Sequence, residues 1–277
     1  MRTLLILPLL LLAPLSVAAA DPCAGANVQR IELTLDLDGV ERIRFETNQF
    51  DVRLRATAAA QHVLRGRACA RDAKWLPGVS VTQEKRDGTL VVRLWREPAS
   101  GLIGLFGSRD AVLEVEGTVP DDRLVQLVVG SGDAYLEGAA SASADVGSGD
   151  VELHRIRGPV TVKLGSGDVK IDGAGPLRVL AIGSGDLKAR EIAGAVSVGP
   201  IGSGDLVLDG VRGDVQIGSI GSGDARLRRV DGAVRIDRVG SGDVDVNGAA
   251  GLSVGSVGSG DVRHQGVRGT VDVPRRN

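Results

Sequence analysis

In the second half of the chain, apolar and polar residues alternate in short bursts that recur on a fixed beat. A typical burst is Leu206-Val207-Leu208, or Val151-Glu152-Leu153, with aliphatic first and third residues and a variable one between. Period-two alternation of this kind marks a β-strand with one face in a core and one in solvent. Each burst follows the word Gly-Ser-Gly-Asp, which occurs eight times, with its Asp at Asp133, Asp150, Asp168, Asp186, Asp205, Asp224, Asp243 and Asp261. Successive spacings are 17, 18, 18, 19, 19, 19 and 18 residues. The residue before each word is aliphatic, from Val129 through Ile201 to Val257. Seven or eight residues beyond the Asp comes another glycine, such as Gly194, Gly213 or Gly232, and then a second alternating strand, such as Val215-Gln216-Ile217.

Two strands and two glycine-bearing turns in about eighteen residues are too short for a βαβ unit and less than half a propeller blade. They suit one coil of an all-β, parallel β-helix-like solenoid, whose strands pair with the equivalent strands above and below at about 4.8 Å. Eight such coils predict a rod of roughly 38 Å. The segment 21–129 predicts a less regular, β-rich opening part of the same solenoid, and 130–277 the repeat solenoid. Asn48-Gln49-Phe50-Asp51-Val52-Arg53-Leu54 matches the repeat word with three of its four residues replaced. Further strands are expected at 43–46, 52–55, 79–81, 90–95 and 112–115.

Composition agrees with a thin core. Glycine reaches 40 residues while aromatic residues are 2% of the chain, which fits a narrow stack filled by Val, Leu, Ile and Ala. Residues 1–20 carry Arg2, an apolar run from Leu4 to Val17 and the small residues Ala18-Ala19-Ala20. That is the grammar of a secretory signal peptide cleaved before Asp21. The mature chain is therefore expected to be exported, periplasmic or secreted, with no transmembrane segment and as a monomer. In such a compartment the two cysteines, Cys23 and Cys69, predict one disulfide. The formal net charge of -2 with dispersed arginines lacks the basic stripe of a nucleic-acid binder.

The leader, the stretch Gly39-Val40 to Ile43, Phe45 and Thr47, and the serial Gly-Ser-Gly-Asp coils resemble bacterial exported β-strand-repeat proteins, the auto-transporter adhesin heads of the GIN type. The resemblance implies a right-handed β-solenoid without an established biochemical activity.

For the repeat word itself the architectural reading leads: glycines for corner backbone angles, and Asp to accept a hydrogen bond from a turn amide. A calcium-binding β-roll is the alternative, weakened because the second turn is acidic only at Gly213-Asp214. A polysaccharide-cleaving β-helix enzyme ranks below it, since the Asp row is monotonous and His62, His154 and His264 match no metal or triad spacing. No cofactor is expected, and the partner is an unidentified envelope or surface component. Gly101 to Gly107, apolar and glycine-rich, reads as a lid on the opening coil or as an exposed patch. His264 stands where several coils have Leu, and reads as a solvated substitution near the solenoid end.

Overall fold

The structure is a computed structural model and describes residues 23–96 and 111–274. The predicted leader, the 101–107 segment and Arg275-Arg276 lie outside these residues. Two twelve-stranded sheets face each other and enclose one continuous aliphatic core. Each repeat contributes one strand to each sheet. In the first sheet these are β9 (Ala134–Glu137), β11 (Val151–His154), β13 (Val169–Ala174), β15 (Leu187–Ile192), β17 (Leu206–Val211), β19 (Ala225–Val230), β21 (Val244–Ala249) and β23 (Val262–Val267). In the second they are β8 (Leu124–Val129), β10 (Ser141–Val146), β12 (Val160–Leu164), β14 (Leu177–Ile182), β16 (Val196–Ile201), β18 (Val215–Ile220), β20 (Ala233–Val239), β22 (Gly251–Val254) and β24 (Val271–Asp272).

All pairing between these coils is parallel and nearly in register, as in Val169, Leu187 and Leu206, which stand side by side. Those aliphatic positions point inward and are fully buried, while their neighbours Lys170 and Lys188 point out. The predicted solenoid is therefore present, with the repeat word forming the corner that carries the chain from the second sheet to the first.

The opening part continues both sheets but abandons sequential order. The strands β2 (Arg42–Asn48) and β3 (Asp51–Thr57) form a coil that lies directly against β8 and β9. On its other side lies the coil made by β6 (Thr89–Arg96) and β7 (Ala111–Pro120). Beyond that, the pairing turns antiparallel: β4 (Val63–Ala70) against β7, β5 (Val79–Arg86) against β6, and β1 (Asn27–Thr34) on the outside of β4. The five expected strands of this part are all found. The strands β1 and β4 were not anticipated; Gly66 and three arginines interrupt their apolar pattern. Cys23 and Cys69 form the predicted disulfide, with Cα atoms 5.4 Å apart, and both are buried.

At the far end, β23 is exposed along most of its length and His264 is solvated, as expected for the last coil. A polar residue at an inward position and a two-residue final strand blunt an edge that would otherwise recruit other strands. Among the described residues no helix is long and apolar enough to cross a membrane.

Candidate functional site

The eight motif aspartates do stack, and their carboxylates are engaged. Oδ1 of each of the first seven accepts a hydrogen bond from the backbone N–H of the Asp in the following coil, at 2.9 to 3.2 Å from the Asp133–Asp150 step to the Asp243–Asp261 step. The donor is thus the turn amide of the next coil. Asp51, in the degenerate copy of the word, opens the row by accepting from the Asp133 amide at 2.9 Å. Among the described residues no group of three His, Cys, Asp or Glu side chains could hold a metal ion.

The glycines of the word answer a different demand from the one expected. None of them has a positive φ. A Cβ on the second glycine of each later word would instead stand 1.7 to 2.0 Å from the carbonyl oxygen of the equivalent glycine one coil back. Such a distance is impossible, so the glycines set how closely the corners stack. Left-handed backbone occurs five residues after each Asp, at Gly138, Arg155, Gly173, Glu191, Gly210, Arg229, Gly248 and Gly266. Through Arg229, glycine alternates with a long charged residue, whose side chain reaches past the bare glycine of the neighbouring coil. Arg229 pairs with Glu191 at 3.5 Å in this way, across Gly210.

Outward residues of the first sheet form columns along the rod. Beside the later part of the Asp row, the next column supplies cations: Lys188 to Asp186 at 3.7 Å, Arg226 to Asp205 and Asp224 at 3.4 and 3.0 Å, and Arg263 to Asp243 and Asp261 at 3.2 and 3.3 Å. Towards the opening part the same column reads Arg53, Tyr135, Glu152. Here the outer face of the sheet forms a concavity of about 770 Å³ that crosses six adjacent strands, β1, β4, β7, β3, β9 and β11.

Tyr135, the one tyrosine of the chain, is fixed in this groove. The Arg53 guanidinium lies 4.9 Å from its ring centre, and the His154 ring stacks on it at 5.0 Å. Its hydroxyl donates to Glu137 at 3.0 Å, and Arg55 and Arg155 hold the buried Glu137 carboxylate. On the far wall Arg67 pairs with Glu114 at 3.1 Å and Arg65 with Glu32 at 3.7 Å. The carboxyl of Asp51 is packed more tightly than the solvent contact of the whole residue suggests. Burial pushes its pKa above the ordinary carboxylate value, repulsion by Asp133 and Glu114 adds to this, and the Asp133 amide opposes it.

Of the sequence-derived candidates, the structure brings Asp133 and Asp150 into the groove together with His154 at its margin. It leaves the other six aspartates along the rod. His62 is buried within the opening part, between β3 and β4, where burial holds its pKa below the usual histidine value. Arg30, Arg53, Arg65 and Arg67 escaped the sequence reading because they come from three separate strands.

A family model covers residues 40–263 of this architecture. The chain belongs to the Toastrack DUF4097 family. Solved structures resemble the chain at low sequence identity. A "putative adhesin" from Parabacteroides merdae is 14% identical with a TM-score of 0.51, covering 90% of this chain and 96% of that one. A "putative lipid binding protein" from Parabacteroides distasonis is 14% identical with a TM-score of 0.49, covering 89% and 97%. No curated protein matches the chain.

Proposed function

We propose that this Toastrack protein is an exported, non-catalytic binding module of the cell envelope, acting as a monomer, and that the groove around Tyr135 holds its ligand. The observation that carries this reading is the groove itself: a concave sheet face crossing six strands, with the one tyrosine of the chain clamped between Arg53 and His154. Concave sites with a few fixed polar and aromatic groups are where ligands bind. The leader-like residues 1–20 and the Cys23–Cys69 disulfide support export. The adhesin name of the Parabacteroides merdae protein fits the same reading, although the likeness itself reaches only the fold.

The proposal is tested by sedimenting purified protein with washed, insoluble envelope material. The double variant Arg53→Ala/Tyr135→Ala is expected to lose retention roughly tenfold or more, with unchanged circular dichroism. Retention equal to wild type in that variant overturns the assignment.

A further inference from the structure

The row of motif aspartates is compensated unevenly. From Asp186 to Asp261 each carboxylate has a lysine or arginine within ion-pair distance. Among the described residues Asp51, Asp133 and Asp150, and Asp168 just beyond the groove, make no ion pair. Cations around the groove have other direct partners: Arg53 lies on the Tyr135 ring, Arg67 pairs with Glu114, and Lys170 pairs with Glu152 at 3.1 Å. Four arginines face seven carboxylates around the groove. A region of this kind stores repulsion that a bound cation relieves.

The floor also limits what that cation belongs to. It is the face of a sheet, and apart from the outer edge of β1 the backbone groups of its strands are consumed in pairing with their neighbours. A peptide lying across the inner strands finds no main-chain partners of the kind that peptide recognition by sheets relies on. What the groove offers is carboxylates, guanidinium groups and one phenol ring. Those are partners for a polyhydroxylated, ring-built polymer. Six strands at about 4.8 Å spacing give the groove a length of roughly 24 Å along the rod, enough for several sugar rings in a row.

We propose that the groove binds a glycan bearing free amino groups, whose ammonium ions settle against Asp51, Asp133 and Asp150. The proposal rests on the reading of the groove as the ligand site. Arg53 and Arg30, which have no acidic partner among the described residues, donate to the hydroxyl or carbonyl oxygens of the same glycan.

Isothermal titration with a glucosamine hexamer and with its N-acetylated counterpart tests it, using wild type, Asp51→Asn/Asp133→Asn, Asp224→Asn and Arg53→Ala/Tyr135→Ala. The Asn variants keep an oxygen for the turn amide, so melting curves are expected to stay close to wild type. Wild type is expected to bind the free-amine hexamer at least tenfold more tightly than the acetylated one, and increasingly so as salt is lowered. Asp51→Asn/Asp133→Asn is expected to abolish that preference and Asp224→Asn to leave it intact. Equal binding of both hexamers, lost only in Arg53→Ala/Tyr135→Ala, overturns the amino-glycan assignment and leaves the groove standing. A lysine hexapeptide that binds as tightly as the glucosamine hexamer overturns the glycan part. Failure of the free-amine hexamer to bind wild type overturns the inference, and if envelope retention also survives Arg53→Ala/Tyr135→Ala, the groove falls with it.

Discussion

The opening part and the coil stack are built from the same two sheets, yet they solve the stacking problem differently. In the stack every coil meets an identical neighbour, so one solution, with aliphatic residues inside, glycine at the corner and Asp reaching to the next amide, is repeated eight times. In the opening part no two neighbours are alike. Parallel pairing gives way to antiparallel pairing at β4 and β5, a disulfide ties the first described residue to β4, and the Asp row runs into Glu114 and then Arg67 and Arg30. Repetition produces a uniform, compensated surface. Where it breaks down, the surface becomes concave and Asp51, Asp133 and Asp150 stand without an ion pair among the described residues, and that is where a ligand site can form.

Several substitutions probe this contrast. The largest effect is expected at the corner of a central coil. Gly204→Val places a side chain where Gly185 already has its carbonyl oxygen, 2.0 Å from the new Cβ. The loss should reach or exceed the top of the roughly 1 to 3 kcal/mol range for overpacking, read as a shift in denaturant midpoint. Asp205→Asn, which keeps the acceptor for the Asp224 amide, should cost less than about 1 kcal/mol. If the two variants melt together, close packing of the corners does not govern the stack.

Removal of the disulfide by Cys23→Ser/Cys69→Ser releases a span of 46 residues and should cost about 2 to 4 kcal/mol. The loss should appear in hydrogen exchange of β1 and β4 and leave the late coils protected. Uniform loss of protection along the rod would show that the two regions unfold as one.

A smaller effect of opposite sign is expected at Glu191, which has φ 52°. Glu191→Gly removes a left-handed strain of about 1 to 2 kcal/mol and gives up an exposed ion pair with Arg229 worth at most about 1 kcal/mol. A net gain in melting temperature is expected, whereas a net loss would assign the bridging side chain a larger role than an exposed pair normally has.

The smallest effect concerns pH. Burial favours the neutral form of His62 in the folded state, so that its pKa lies below the unfolded value. The unfolded chain therefore takes up the proton first, and stability declines as pH falls below about 6.5 towards the folded pKa. Above that window His62 contributes no pH dependence. Comparing the slope of melting temperature against pH for wild type and His62→Gln isolates this component, and identical slopes would remove His62 from the account.

Most of the coil stack was legible in the sequence, because a parallel, in-register solenoid writes its geometry as a period. The Asp row, the aliphatic positions and the two turns per coil all follow from that period. The role of the glycines was not legible, because a clash between coils leaves the same residue type as a demand for positive φ. A usable signal lay five residues beyond each Asp, where Gly138, Gly173, Gly210 and Gly248 alternate with Arg155, Glu191 and Arg229. Glycine at such a position is the usual mark of left-handed backbone. The strands β1 and β4 and the groove stayed hidden for another reason. Antiparallel partners such as Arg67 and Glu114 lie 47 residues apart, and nothing periodic connects Arg30, Arg53, Arg65 and Tyr135 before the chain is folded.

The corner-to-corner hydrogen bonds that hold Asp205 to Asp224 and Gly183 to Gly204 run along the axis of the rod. A pull on the two ends therefore loads the coils in series, and the whole tension falls on whichever interface is weakest. At the Val262–Val267 end, where the last strand is exposed and supported from one side only, the rod should peel off one turn at a time. Each released turn pays out about eighteen or nineteen residues of slack. Such stepwise yielding acts as a shock absorber that spares the opposite end, where Tyr135 sits.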